Sequence, residues 1–331
     1  MAINNLGYRN WEGRLGSPWL RWLTIAMVGI QIVFKSQWIK RLMFLAWGPA
    51  IGVGGIFFFY EQYVENRDTI QVGIASSPRS QKQFGEMLQL VSSSSQAEVI
   101  STAMSKPPNE ARGYVWSFVL VSMLRVSQGW MVLVMIGLIA PSLIAKDIRS
   151  RAHLFYFSKP ITRVDYLVGK FSIVAFFVGF VTLLPVLALY ALGVLLSPDA
   201  LDVIKSTWFL PFRVTVACLI YIVPCCLIGL ALSSLTTESR FAGFAWFMVW
   251  ILGFVGYNIV NNISALGNGM PADDSLWRII SLYDCLTFLQ SWVMDLETNH
   301  AYAMKLLFFV LLLCLICYFT IMRKISTPLR A

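Results

Sequence analysis

Histidine is almost missing from this sequence, and charge is scarce. Two histidines, His153 and His300, stand among 331 residues, and charged residues make up 13%. Two imidazoles in distant segments offer no ligand set for a histidine-based metal centre, so no bound metal or other cofactor is expected. The G-x-x-x-x-G-K-[ST] phosphate loop, the G-x-S-x-G elbow and the H-E-x-x-H pair are all absent. No motif for nucleotide hydrolysis, acyl transfer or zinc proteolysis is therefore available, and the chain is not expected to be an enzyme. No Asp or Glu lies well inside a long apolar run, which argues against a proton- or cation-coupled carrier. The first forty residues hold Arg9, Arg14, Arg21, Lys35 and Lys40 without an A-x-A-like site, so no cleaved signal peptide is expected. Cys218, Cys225, Cys226, Cys314 and Cys317 lie in apolar runs and only Cys285 lies outside them, which excludes an external disulfide framework. The Cys314-x-x-Cys317 spacing is that of a redox pair, but within an apolar helix it reads as packing.

What remains is apolar. Hydrophobic residues make up 57% of the chain, beyond the range of soluble globular domains, and the first partner to expect is a lipid bilayer. The net charge of +9 raises the possibility of nucleic-acid binding. The basic residues, however, flank apolar runs and form no continuous stripe, so no nucleic-acid partner is expected.

Stretches long enough to cross about 30 Å of hydrocarbon fall at about 42–60, 126–145, 171–197, 207–235, 241–263 and 301–322. The expected fold is an all-α integral membrane protein with six transmembrane helices. Trp22 to Phe34 is apolar but short; with Trp19, Trp22 and Trp38 nearby, residues 18–40 suit an interfacial elbow helix. A seventh, re-entrant or crossing segment at 22–34 is the competing reading. Residues 1–41 carry six Lys or Arg, 146–170 carry six more, and Arg240, Arg323, Lys324 and Arg330 join them on the same side. The opposite short loops hold only Lys205 and Arg278. By the positive-inside rule both termini are expected in the cytoplasm of a multi-pass protein of the inner or plasma membrane.

The expected domains are a cytoplasmic N-terminus with its elbow (1–41), the six-helix domain (42–322) and a cytoplasmic tail (323–331). Within the six-helix domain lie an external loop at 61–125, a cytoplasmic loop at 146–170 and an external loop at 264–300, the last holding interfacial or half-inserted helices. Gly52, Gly54 and Gly55 in the first span, and Gly253 and Gly256 in the fifth, permit close helix approach and mark a candidate subunit interface.

The segment Ala140 to Lys170 is the most informative. Beyond the apolar run, Ile148, Ala152 and Phe155 fall on one stripe of a helix expected at about 147–157, with Arg149, His153 and Tyr156 opposite. Ser158-Lys159-Pro160 breaks that helix, because proline disfavours helical geometry in the residue before it. Thr162-Arg163-Val164-Asp165 then has the form of a capping box, so the third span is expected to start there and enter the membrane after Lys170.

This segment resembles the first cytoplasmic loop of ABC-2-type permeases, the membrane subunits of many bacterial ABC exporters. The family pattern places an acid at the end of the second span, here Asp147. A short coupling helix follows, and then a motif that reads here Ser158-Lys159-Pro160-Ile161-Thr162-Arg163, Asp165-Tyr166 and Gly169-Lys170. The resemblance covers the whole chain and implies the ABC-2, type V exporter-like architecture. It implies a partner ATPase subunit that carries ATP and magnesium, and a second permease chain, identical or related, to form a dimer. It assigns ATPase docking to Asp147, Arg149, Arg151, His153, Phe155 and Tyr156, and the loop break and start of the third span to Lys159, Pro160, Thr162, Arg163, Asp165 and Lys170. Arg213 is a further candidate for the substrate path. The long 61–125 loop departs from the minimal family pattern.

Two other functions compete with an export permease. One is a non-transporting assembly or regulatory subunit. The other is a membrane-embedded enzyme acting on lipids or isoprenoid-linked sugars, with Asp273, Asp274, Asp284 and Asp295 as its only clustered acids.

Overall fold

The computed structural model describes residues 20–66, 108–152, 161–197, 199–268 and 276–326, and among them there is no strand. Six helices are long and apolar enough to cross a membrane: Gln37–Glu65, Ala111–Arg149, Arg163–Leu196, Leu210–Leu235, Ser239–Ile263 and His300–Ile325. The elements are named in chain order. The elbow is α1 (Arg21–Phe34), and the first span is α2 (Gln37–Leu45) with α3 (Gly48–Glu65). The second span is α4 (Pro108–Ser127), a π-helical turn (Gln128–Val132) and α5 (Leu133–Arg149). Next come α6 (Arg163–Leu196), the short α7 (Ala200–Thr207), α8 (Leu210–Leu235) and α9 (Ser239–Asn268). A 3-10 turn (Leu276–Ile280), α10 (Leu282–Val293) and α11 (His300–Ser326) complete the chain.

Helix α8 is the centre of the bundle. It packs on α5, α6, α9, α10 and α11, and 67% of its apolar window is buried, against 22% for α9 and for α11. The outer faces of α9 and α11 instead present Phe241, Phe244, Leu252, Phe308 and Phe319, the side-chain types that lipid tails cover. Close packing of α8 on α5 depends on Gly229: a Cβ there would lie 2.9 Å from Ile136 Cγ2 and 3.0 Å from Ala140 Cβ.

Two spans outrun their apolar stretches. The second, Ala111–Arg149, has 39 residues, about 58 Å at 1.5 Å per residue and nearly twice the hydrocarbon thickness. Its extension begins at Pro108, and α3 continues to Glu65, so the loop expected at 61–125 is helical at both edges. Residues 67–107 lie outside the described residues. The extensions are held by Glu61 and Arg112, both buried, with Arg112 Nη2 and Nε donating to the carboxylate at 2.9 and 3.2 Å. Beside them Trp116 stands edge-on to Phe57 and Tyr190.

The stretch expected to form one elbow helix up to residue 40 holds α1 and the first turn of α2. Helix α1 lies along the start of α6 in parallel, with Trp22 and Ile25 beside Gly169, Gly29 against Ile173, and Phe34 against Phe176 and Phe177. Its 14 residues span about 21 Å, too short to cross. The chain breaks at Ser36, whose backbone is extended, before α2 exposes Lys40 and Arg41. In the 264–300 segment, α10 is a half-length helix wedged among α8, α9 and α11, with Cys285 to Ser291 buried. Its Gln290 Nε2 donates to Ala217 O of α8 at 2.9 Å. Gly253 meets the Ile280 carbonyl of the 3-10 turn, and Gly256 meets its side chain. The glycines read in the fifth span as a subunit interface therefore serve packing within the chain.

Candidate partner-docking site

The end of the bundle carrying Lys146, Arg149, Arg163 and Lys170 is its basic end, where α5 finishes and α6 begins. The helix expected at about 147–157 lies outside the described residues from His153 on, and its first residues belong to the end of helix α5. Helix α5 ends at Arg149, where Ser150 donates both its backbone N–H and its hydroxyl to Lys146 O, at 2.9 and 2.8 Å. Arg151 then takes φ 52°, a left-handed conformation uncommon for a residue with a side chain. Asp147, Ile148 and Arg149 thus occupy the last turn of the second span, and the turn at Arg151 separates them from Ala152. The apolar periodicity ran across this turn because no glycine or proline marks it. His153, Phe155, Tyr156, Lys159 and Pro160 lie outside the described residues.

The restart forms as the sequence requires. Asp165 N–H donates to Thr162 Oγ1 at 3.1 Å and Thr162 N–H donates to Asp165 Oδ2 at 3.1 Å, both halves of the capping box. Arg163 opens α6 at an exposed position. The two sides of the loop are clamped from below. Lys170 Nζ lies 2.8 Å from Asp147 Oδ2, and the Tyr166 hydroxyl donates to the same oxygen at 2.8 Å. With side chains 9% and 17% exposed, the Lys170 and Asp147 charges meet where water screens them weakly. A third connection runs sideways: Arg149 pairs with Glu238 at 2.9 Å, tying the second span to the start of the fifth. The sequence reading passed over Glu238, although an acid in the tight turn between spans four and five shares the basic end with Arg149.

Pro141 and Ser233 form a joint one turn deeper. The Ser233 hydroxyl donates to Pro141 O at 2.9 Å and accepts from the backbone N–H of Ile144 and Ala145 at 3.2 and 3.0 Å. A side chain of α8 is thereby inserted into the backbone ladder of α5, an arrangement that bends helices. Ser233 carries no sequence signal for this role, because its partner lies 92 residues away.

The other candidates separate from this end. Arg213 lies at the opposite end, ion-paired with Asp295 and stacked 4.8 Å over Phe209. Asp284 accepts from the Ser281 hydroxyl at the start of α10. Asp273 and Asp274 lie outside the described residues. Among the described residues no group of three or more His, Cys, Asp or Glu could hold a metal ion. A groove of about 400 Å³ runs between α5 and α9, lined by Trp130, Leu133, Phe247, Trp250, Phe254 and Tyr283. The indole N–H of Trp250 and the whole amide of Gln128 in the adjoining π turn are buried with no hydrogen-bond partner among the described residues.

An all-helical bundle of six long apolar helices, with a braced basic loop between the second and third, defines a multi-pass membrane protein of the transporter class. The chain belongs to the ABC-2 family of transporter proteins, whose family model matches residues 37–323. It is accordingly a permease component of an ABC transporter, a class that works with an ATPase partner. Neither the curated proteins nor the solved structures compared with the chain match it.

Proposed function

We propose that this permease exports its cargo by coupling to a separate ATPase subunit that docks on the basic end of the bundle, at the 146–170 loop. In this reading the basic end faces the cytoplasm, the ATPase holds ATP and magnesium, and two permease chains stand side by side. The chain itself catalyses no reaction. The observation that carries the proposal is the clamp: the loop's two flanks are fixed to each other through Asp147, Tyr166 and Lys170, and to the fifth span through Arg149 and Glu238. A push on such a loop moves spans two, three and five together instead of being absorbed by a slack connection. Asp147 and Lys170 then act as an internal brace. Arg149, Arg151, His153, Phe155 and Tyr156 are the residues offered to the partner, and arginines and aromatics are the side chains that dominate interface energetics.

The test uses that division. The Arg149 side chain is 66% exposed in its bridge, so the bridge contributes little to stability, about 0–1 kcal/mol. Arg149→Ala should therefore leave the permease folded while weakening retention of the ATPase in mild detergent by about tenfold or more, the effect of losing one interface hot spot. Phe155→Ala and Tyr156→Ala should do the same. A complex unchanged by all three substitutions refutes the docking assignment. Cargo movement into vesicles only when the ATPase and ATP are supplied separates a transporter from an assembly platform.

A further inference from the structure

A cavity of about 620 Å³ opens at the basic end between α1 and α5, floored by the first turns of α6. The loop-docking reading makes no use of it. Its wall divides by chemistry. Ile25, Val28, Ile32 and Val33 of α1, Leu143 of α5 and Ile173 of α6 form an apolar flank, while Arg21, Lys146, Asp147 and Lys170 carry the charge. Asp147 and Lys170 pair with each other at 2.8 Å. Three cations against one carboxylate leave the lining net positive, with Arg21 on one helix and Lys146 on the facing one.

We infer that this cavity holds an anionic glycerophospholipid, its phosphate between Arg21 and Lys146 and an acyl chain along α1. Three observations favour this occupant over a soluble anion or a protein segment. The volume lies within the range of ligand sites, roughly 300–1,000 Å³. The apolar flank continues onto the open face of α1, where Met27, Val28 and Ile32 are half or more exposed, so a chain leaving the cavity stays on apolar surface. The cations sit at the basic ends of membrane helices, the place where headgroup phosphates lie and where basic pockets between helices recognise charged lipid headgroups. The cavity is also a built feature of the fold. Gly29 seats α1 on α6, because a Cβ there would stand 2.1 Å from Ile173 Cδ1, and without that close seating α1 could not form the cavity wall. A bound lipid would bridge the elbow to the end of the second span, next to the Asp147–Lys170 brace.

The test is independent of the ATPase and of transport. The permease is purified in mild detergent, offered phosphatidylglycerol and phosphatidylcholine in equal amounts, and the lipid retained per chain is read by native mass spectrometry. Phosphatidylglycerol should be retained in preference by about tenfold, the ratio expected when one or two basic groups each attract an anionic lipid. The Arg21→Gln, Lys146→Gln double variant should bring the two lipids to within about twofold. Val28→Trp, which fills the apolar flank, should lower retention of both. A further arm needs no variant: the preference of the unaltered protein should fall between roughly 0.05 M and roughly 1 M salt as the cations are screened. Equal retention of the two lipids, a preference untouched by salt, or a folded double variant with undiminished preference overturns the inference. Retention that Val28→Trp leaves unchanged places the lipid elsewhere and does the same.

Discussion

Glu61 and Arg112 carry opposite charges into the protein interior, 2% and 6% exposed, and each makes the other tolerable. A carboxylate and a guanidinium matched through two hydrogen bonds retain most of what water gave them, whereas either one alone is an uncompensated buried charge. Glu61→Gln should destabilise the protein by about 3–5 kcal/mol. The Glu61→Leu, Arg112→Leu pair should recover most of that loss, since apolar residues of similar size can replace a buried ion pair. Unfolding in mixed micelles measures both, and a double variant no better than the single one would contradict the pairing. The sequence placed Glu61 in a loop because its partner is 51 residues away, across a long segment without periodicity. Thr162 and Asp165 were legible because their partners are three residues apart and a capping box is written in contiguous residues. The same contrast separates Asp147, visible as the acid ending a span, from its use as the acceptor of Lys170 and Tyr166.

The helices follow the same division. Apolar length located all six spans, but their ends moved wherever a tertiary contact replaced the membrane as the stabilising partner. Helix α4 runs outward to Pro108 beside α3, and α5 stops at Arg149 although the apolar stripe suggested continuation. The Pro141–Ser233 joint makes the clearest test at this scale. Ser233→Ala removes the hydroxyl that accepts from two backbone N–H groups of α5 and donates to Pro141 O, and should cost about 1–3 kcal/mol. The effect should be localised: amide exchange should rise at Ile144 and Ala145 and stay unchanged in α3, which packs mainly on α4 and α6, away from the joint. Uniform loosening of every helix would indicate a packing defect instead of a lost backbone contact. Because the joint lies just inside the basic end, it is also where a force on the 146–170 loop would bend the second span.

For the whole molecule, the basic end gives the bundle a polarity that labelling reads directly. Cys218, Cys225, Cys226, Cys285 and Cys317 are buried and Cys314 is half-buried, so the native thiols give a low background to a membrane-impermeant maleimide. With the basic end inside, Arg151→Cys should label only after cells are permeabilised. Asn66→Cys, at the end of α3, should label in intact cells. The reverse pattern would invert the topology and move the proposed ATPase site to the wrong side. Both positions are turn residues at helix ends, where a single substitution disturbs little packing.

By itself the sequence determined the class of fold, the number of spans, the charge polarity and the loop on which a partner reading rests. All of these follow from quantities that add up along the chain: apolar length against bilayer thickness, cation counts in short loops, and a cap written in four residues. Only the tertiary structure decided that Asp147 braces Lys170 and Tyr166, that Arg149 reaches Glu238, and that Ser233 enters the ladder of α5. It also decided that α1 stands off α5 to leave a basic cavity with an apolar flank. Each of these depends on which faces of distant helices meet, and inside a membrane apolar patterning says little about that, because lipid and protein satisfy the same side chains equally well.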